Sequence, residues 1–284
     1  MKCFYHGVDF DGKCSGAIVK LKYPNCELIG IDYGDPFPWD MIHDDEVLFM
    51  VDFAIQPHVD MERLYAKTGG KLVWIDHHKT ALEWAGLSGF DNVCKGVRSP
   101  ELAGCELTWR YLHGGDEFPR AVALLGRYDV WDHQHPQTLP FQFGMRLAEN
   151  PPEDTAWWHD LFTREQAVLD IIETGHICQA YAEQSHAGVC KMAGFDLEWE
   201  GLRWTAVNGP YRGSMVHKSR FDHERHDAML GFYWTGKQWT LSLTTDKPGI
   251  DVSAIAKKYG GGGHKGAAGF QANNLPFALV RKTP

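Results

Sequence analysis

Closely spaced cysteines are missing from this sequence. The seven present, at positions 3, 14, 26, 94, 105, 178 and 190, never stand nearer than 11 residues apart. That spacing excludes CxxC metal knuckles and dithiol redox pairs. An odd, scattered set suits a reducing compartment, where thiols act mainly as small core residues. No apolar run approaches the ~18 residues that span a bilayer, and Asp9 and Asp11 interrupt any leader-like segment behind Lys2. Positive charge is also scarce: 28 Lys and Arg against 37 Asp and Glu leave a net charge of −9. A basic face able to displace counterions from a duplex is therefore not expected. Internal repeats and low-complexity tracts are absent as well. Together these absences point to a soluble, cytoplasmic protein that binds neither duplex DNA nor membrane. A local pocket for a small phosphorylated ligand stays open, and so does assembly as a homodimer.

What is present is ordinary globular composition, 44% hydrophobic and 23% charged over 284 residues, enough for roughly two domains at ~150 residues each. The first 80 residues alternate between two periods. Met1–Tyr5 reads as a short strand, and Gly16–Leu21 as an early helical turn. Three continuous apolar runs each close on an aspartate: Cys26 to Asp32, Glu46 to Asp52 and Lys71 to Asp76. Between the last two, Pro57 to Thr68 has helical spacing and is closed by Gly69 and Gly70. Apolar strands alternating with helices predict an α/β fold, a parallel sheet with helices on both faces. Ser99-Pro-Glu-Leu predicts a helix running to about His113, and a second helix covers Arg120 to Arg127. Mainly helical sequence runs from Asp154 to about Glu183. From Phe195 the texture becomes aromatic-rich, with Met229–Trp234 and Trp239–Thr244 spaced as a hairpin and a short helix over Val252–Tyr259. The predicted organisation is an N-terminal domain over 1–165, a helical linker over 166–194, and a smaller α/β domain with a mixed or antiparallel sheet over 195–284. Core packing is the expected use of Trp204, Tyr233, Trp234 and Trp239.

The informative residues lie at strand ends. His6, Asp9, Asp11 and Gly12 follow the first strand, Asp52 ends the third, and Asp76, His77 and His78 end the fourth. In a parallel sheet these ends share one edge, where open α/β folds bind ligands. Taken singly, each could be a surface turn, a helix cap or a solvated strand end; at successive strand ends they form one constellation. Carboxylates converging on a small volume raise one another's pKa, and a divalent cation removes that penalty. Mixed carboxylate and imidazole donors favour Mn²⁺, with Mg²⁺, Fe²⁺ or Zn²⁺ behind it. Five or six ligands suit two ions ~3.5–4 Å apart, a geometry that activates water for in-line attack on phosphorus.

Asp76-His77-His78, with His6-x-x-Asp9-x-Asp11-Gly12 upstream and Asp52 between, resembles the DHH phosphoesterase family. Gly260-Gly-Gly-Gly-His264-Lys-Gly-Ala-Ala-Gly269-Phe resembles the signature of the DHH-associated C-terminal domain. The resemblance implies two-domain, usually Mn²⁺-dependent enzymes such as RecJ-like exonucleases, nanoRNases, pAp phosphatases and cyclic dinucleotide phosphodiesterases. By position it puts His6 and Asp9 on one ion, Asp11, His77 and Asp129 on the other, and Asp52 between them. Asp132 is the rival of Asp129. Asp76 would orient an imidazole, and His78 would contact the phosphate or protonate the leaving oxygen. Gly262, Gly263, His264 and Lys265 would hold the substrate. The glycine block formally matches a dinucleotide fingerprint, but it follows a helix rather than a strand, so that reading fails. This chain has HxxDxD where many relatives have HxxxDxD, and Ser242-Leu-Thr-Thr245 where they often have Ser-Leu-Arg-Ser. The implied activity is metal-dependent hydrolysis of short oligonucleotides to nucleoside monophosphates. Cyclic dinucleotide or pAp hydrolysis is the alternative, pyrophosphate or polyphosphate hydrolysis a distant one, and a nucleotide-binding module without turnover the reading outside enzymology.

Overall fold

A computed structural model describes residues 1–209, 213–263 and 265–278. The chain divides into two compact units, Met1–Gln179 and Ala180–Pro284. In the first, strands β1 (Lys2–His6), β2 (Glu27–Ile31), β3 (Leu48–Val51) and β4 (Leu72–Ile75) form a wholly parallel sheet in the order β2-β1-β3-β4. Every residue of β3 and β4 is buried, as continuous apolar runs require when both faces of a sheet are covered. β2 lies at the edge and is only partly covered.

Helices α1 (Phe10–Lys22), α2 (Val59–Lys67), α3 (Lys79–Ser88) and α4 (Gly104–His113) cover the sheet. Side chains alternate along each strand, so each face has its own partners. Phe4, Met50, Leu48, Leu72 and Trp74 pack with Met61 and Leu64 of α2 and Ala81 and Ala85 of α3. Cys3, Tyr5, Phe49, Val51, Val73 and Ile75 pack with Val19 of α1 and Leu107 of α4. The other side of α1 joins a helical layer made of α5 (Arg120–Asp129), α6 (Thr138–Met145), α7 (Thr155–Thr163) and the start of α8 (Glu165–Ala193). Boundaries differ from the sequence expectation in several places. α1 begins at Phe10 rather than Gly16, capped by the Asp9 carboxylate accepting from Gly12 N at 2.9 Å. The helix expected from Ser99 begins at Gly104, because the first turn is capped from elsewhere in the chain, by Asp11. α5 runs two residues further than expected and so includes Asp129.

In the second unit, β5 (Gly194–Trp199), β6 (Leu202–Asn208), β7 (Ala228–Trp234), β8 (Trp239–Thr244), the helix α9 (Val252–Lys258), β9 (Gly262–Gly263) and β10 (Ala267–Ala272) follow in chain order. The sheet runs β5-β6-β7-β8-β10-β9, mixed because β6 and β7 are parallel and the other pairs antiparallel. β7 and β8 form the expected hairpin, Trp234 opposite Trp239. Trp204 is fully buried in this unit's core, whereas Trp234 is half exposed. The glycine block is a strand rather than a loop: Gly262 and Gly263 pair with Gly269 and Ala268. The approach is close enough that a Cβ on Gly261 would lie 2.1 Å from the Gly269 carbonyl oxygen, which leaves glycine as the residue that fits there. No helix among the described residues is long and apolar enough to cross a membrane.

Trp74 anchors the first unit: it is fully buried, and its indole N–H donates to the Phe53 carbonyl at 3.0 Å. Trp74→Ala is expected to cost about 3–5 kcal/mol of unfolding free energy. Leu87→Ala, at a position 91% exposed, should stay within about 0.5 kcal/mol of the parent. Urea midpoints at constant m-value check both.

Candidate metal centre

The C-terminal edge of the parallel sheet gathers the expected residues. His6 is the last residue of β1, and Asp52 and Asp76 directly follow β3 and β4. Asp9 and Asp11 arrive at the start of α1, and Asp129 at the end of α5. Three sets of donor atoms each lie within 4.8 Å of one another: His6, Asp9 and Asp52; Asp11, His77 and Asp129; and Asp52, His77 and His78. Asp52 belongs to two of these sets, with His6 and Asp9 in one and His77 and His78 in the other, and His77 is common to the second and the Asp11–Asp129 set. Its Oδ1 is 3.1 Å from His77 Nε2, and its Oδ2 is 3.8 Å from His6 Nδ1. Asp129 Oδ2 and Asp11 Oδ2 approach the same His77 nitrogen at 3.3 and 3.7 Å. Asp132, the rival, instead pairs with Arg127.

Several backbone features aim these groups. Both Asp11 oxygens accept 2.7 Å hydrogen bonds from the first amides of α4, Gly104 N and Cys105 N, so a helix N-terminus orients and stabilises that carboxylate. Asp52 itself sits in the left-handed region at φ +55, a strained conformation for a non-glycine residue and one found at functional sites. Gly104 makes room for it, since a Cβ there would lie 2.6 Å from Asp52 Cβ. Asp76 accepts from the backbone N–H of His77 and of His78, and its Oδ1 lies 2.7 Å from His78 Nδ1. The result is an imidazole held by a fully buried carboxylate.

The electrostatics are those of crowded, poorly compensated acids. Asp52 is 1% exposed, yet neither of its carboxylate oxygens has a hydrogen-bond partner. His6 Nδ1, 2.7 Å from Asp9 Oδ2, likewise meets no hydrogen-bond geometry. Donor atoms that crowd to about 3 Å without bonding one another are arranged around a common centre. Burial, then the charges of Asp11, Asp9, Asp129 and Asp76, push the Asp52 pKa far up. Burial and the charges of Asp11 and Asp9 push Asp129 up to about 8. Burial lowers the His77 pKa. Burial also opposes a charge on His78, but the hydrogen bond and charge of Asp76 outweigh it and bring its pKa to about 8. A buried acid with no proton donor nearby is costly, and divalent cations would remove that cost. The donors are hard carboxylate oxygens and imidazole nitrogens, with no thiolate in any of these sets, which fits the Mn²⁺/Mg²⁺ class of ion.

Sequence reasoning passed over three neighbours of this cluster. Asp32 lies 3.3 Å from His6 Nε2; the signal was present, since it closes its apolar run as Asp52 and Asp76 close theirs. Tyr33 places its ring 5.3 Å from that of His6 and 5.6 Å from that of His78. Glu106, buried on α4, accepts from Ala103 N at 3.1 Å, and burial raises its pKa. The residues expected to hold substrate lie in the second unit. Gly262 and Gly263 border a groove of about 860 Å³ lined also by Tyr233, Thr240, Ser242 and Gln271. Lys265 is exposed, its carbonyl accepting from Val252 N, and His264 lies outside the described residues.

Fold and site define an α/β protein that presents clustered carboxylates and imidazoles at the C-terminal edge of a parallel sheet. No protein-family model matches the chain. It is 26% identical over 254 residues to the uncharacterized protein R106 of Acanthamoeba polyphaga mimivirus, covering 85% of this chain and 57% of that one. It is 24% identical over 265 residues to the oligoribonuclease NrnB of Bacillus subtilis, covering 82% and 61%. The chain therefore spans about three fifths of the length of these curated relatives. Among solved structures it is similar to the pGpG-specific phosphodiesterase PggH of Vibrio cholerae, with a TM-score of 0.55, 12% identity and 96% and 93% coverage of the two chains. It is also similar to RecJ of Thermus thermophilus in complex with Mn²⁺, with a TM-score of 0.53, 16% identity and coverage of 96% and 49%. The fold is that of the DHH-domain proteins, in agreement with the motif resemblance to the DHH phosphoesterase family.

Uncompensated carboxylates set a pH test. A folded-state pKa of about 8 for Asp129, against ~3.9 for an unfolded aspartate, means that the folded protein binds the extra proton. That contribution is fully present below pH 4 and is lost as pH rises to about 8. In EDTA, melting temperature should fall over that window, and Asp129→Asn should flatten the fall. Added Mn²⁺ should restore stability most at the alkaline end. A metal-free protein whose stability is level from pH 5 to 8 would contradict the electrostatic picture.

Proposed function

We propose that this protein is a metal-dependent phosphodiesterase that hydrolyses short single-stranded oligonucleotides, down to dinucleotides, to nucleoside monophosphates. The observation that carries the proposal is Asp52, buried and without a hydrogen-bond partner for either oxygen, set between the His6–Asp9 pair and His77. In this reading His6 and Asp9 hold one divalent cation, Asp11, His77 and Asp129 hold a second, and Asp52 is shared; Mn²⁺ is the proposed ion. Two such cations would supply a water of lowered pKa and neutralise charge on the phosphoryl group. Asp11 is fixed for its part by the α4 amides. His78, its Nδ1 engaged by Asp76 and its pKa near 8, carries a proton at neutral pH and can give it to the leaving oxygen from Nε2.

Several findings support the choice of substrate. A curated relative is named an oligoribonuclease, and a structure with the same fold is a pGpG-specific phosphodiesterase; both names denote small linear nucleotides. The net charge of −9 argues against a grip on long duplexes. In the proposal the glycine block with Lys265 and His264 holds the far end of the substrate, residues 166–194 link the two domains, and the enzyme is cytoplasmic.

Protein loaded with Mn²⁺ should release nucleoside monophosphate from a dinucleotide, and EDTA should abolish the release. A positioned general acid contributes about 10²–10⁴-fold, so Asp76→Asn, which takes away the carboxylate that holds His78, should lose about 10-fold or more, and Asp52→Ala more than about 100-fold. Asp129→Asn should be severely impaired and Asp132→Asn close to wild type. Intact activity in Asp52→Ala sinks the mechanism. Preference for a cyclic dinucleotide or pAp in the same panel would reassign the substrate, and tight binding without product over hours would indicate a binding module.

A further inference from the structure

Immediately after Asp129 the chain raises an aromatic shelf that neither the fold nor the metal cluster requires. Trp131 is 64% exposed and Val130 40% exposed, so their burial contributes little to stability. Trp131 nevertheless holds φ at +63, a costly conformation for a bulky side chain. Such strain persists only where surrounding structure enforces it, and here it does. Trp131 N donates to Tyr128 O at 3.2 Å, Asp132 N to Arg127 O at 2.8 Å, and His133 N to Trp131 O at 3.0 Å. Arg127 pairs with Asp132, and Arg146 donates to the Tyr128 hydroxyl at 3.2 Å.

The rings themselves are stacked. Tyr128 and His133 lie 5.0 Å apart at 23°, and His133 and Trp131 lie 5.2 Å apart at 30°. Trp131 is the exposed outer plate of a rigid three-ring pile. It stands two residues from Asp129, whose carboxylate is 3.3 Å from His77 Nε2, and two residues span at most about 7 Å of backbone. An exposed π-face carried two residues from a candidate metal ligand matches a ligand that joins a phosphate to a flat ring.

We propose that Trp131 is a stacking platform for the nucleobase next to the scissile phosphate, on the side of Asp11, His77 and Asp129. This rests on the phosphodiesterase reading and deepens it. Stacking tolerates any base because each has a π-face, so this subsite selects nucleotides as a class and follows ring size rather than hydrogen-bonding pattern. Purines are favoured over pyrimidines there, and a substrate lacking that base is held poorly. Rigidity of the pile keeps the ordering cost of binding low.

The test uses the full chain with Mn²⁺, the dinucleotide pApA, and two pApA analogues, each with one base replaced by hydrogen. Trp131→Phe keeps a π-face, whereas Trp131→Leu keeps apolar bulk without one. Trp131→Leu should raise KM for pApA about tenfold or more, with kcat changed much less, and Trp131→Phe should recover most of the loss. One abasic analogue should be poor for the parent and lose nothing further in Trp131→Leu. Equal losses on all three substrates, or Trp131→Leu matching the parent on pApA, overturns the platform while leaving the phosphodiesterase reading intact. Should the parent fail to cleave pApA, that reading falls, and equilibrium binding of pApA decides the platform: binding weakened in Trp131→Leu sustains it. Binding indifferent to residue 131, or no binding, overturns it.

Discussion

A carboxylate that cannot be satisfied by the protein governs the first unit of this molecule. Asp52 leaves the centre of a parallel sheet in a left-handed backbone conformation and is buried, with four other acids contributing to its charge environment. Left alone, that arrangement weakens the fold at neutral pH, because like charges in a poorly solvated volume repel. Such a cost is retained where a ligand removes it. Neighbouring features follow from the same constraint: α4 starts with glycine to clear Asp52 and turns its first amides onto Asp11, and one oxygen of Asp76, Oδ1, is engaged by a histidine and two amides.

The two histidines of the motif divide in character because their partners differ. His78 has a dedicated carboxylate at 2.7 Å and is held charged near neutrality. His77 faces three carboxylates at 3.1 to 3.7 Å with none dedicated to it, and burial keeps it neutral. A neutral imidazole among carboxylates can act as a ligand, whereas a charged imidazole held on a carboxylate can give a proton or contact an anion. Adjacent positions in sequence thus reach opposite protonation states through orientation alone.

Comparison with known proteins adds breadth rather than detail. Structures similar across nearly the whole chain share little sequence with it, 12% and 16% for the two described. What persists at that distance is the fold, and with it the shared edge at which the parallel strands end. Loops beyond those ends are where sequence and length vary most among proteins of one fold.

Much of this was legible in the residues. Continuous apolar runs closed by aspartate marked parallel strands and put their acids on one edge, because a parallel sheet has a single C-terminal edge whatever the details of packing. The hairpin between Met229 and Thr244 and the helix from Val252 were readable from period and turn chemistry. Other features required the folded chain. α4 starts at Gly104 because its cap, Asp11, is more than ninety residues away, and no local signal encodes a distant cap. Asp129 and Asp132 are equivalent by composition and spacing; helix α5, by carrying one toward His77 and leaving the other to Arg127, separates them. Asp32 closes an apolar run as Asp52 and Asp76 do, but its nearness to His6 is set by packing, and the position of Trp131 carries no local signal. Sequence by itself determined which chemical groups exist and which edge of the sheet they occupy, since strand direction follows from local pattern. Tertiary structure alone decided which of them share a centre, which are paired away and which remain unsatisfied, because distances across a fold are set by packing rather than by order along the chain.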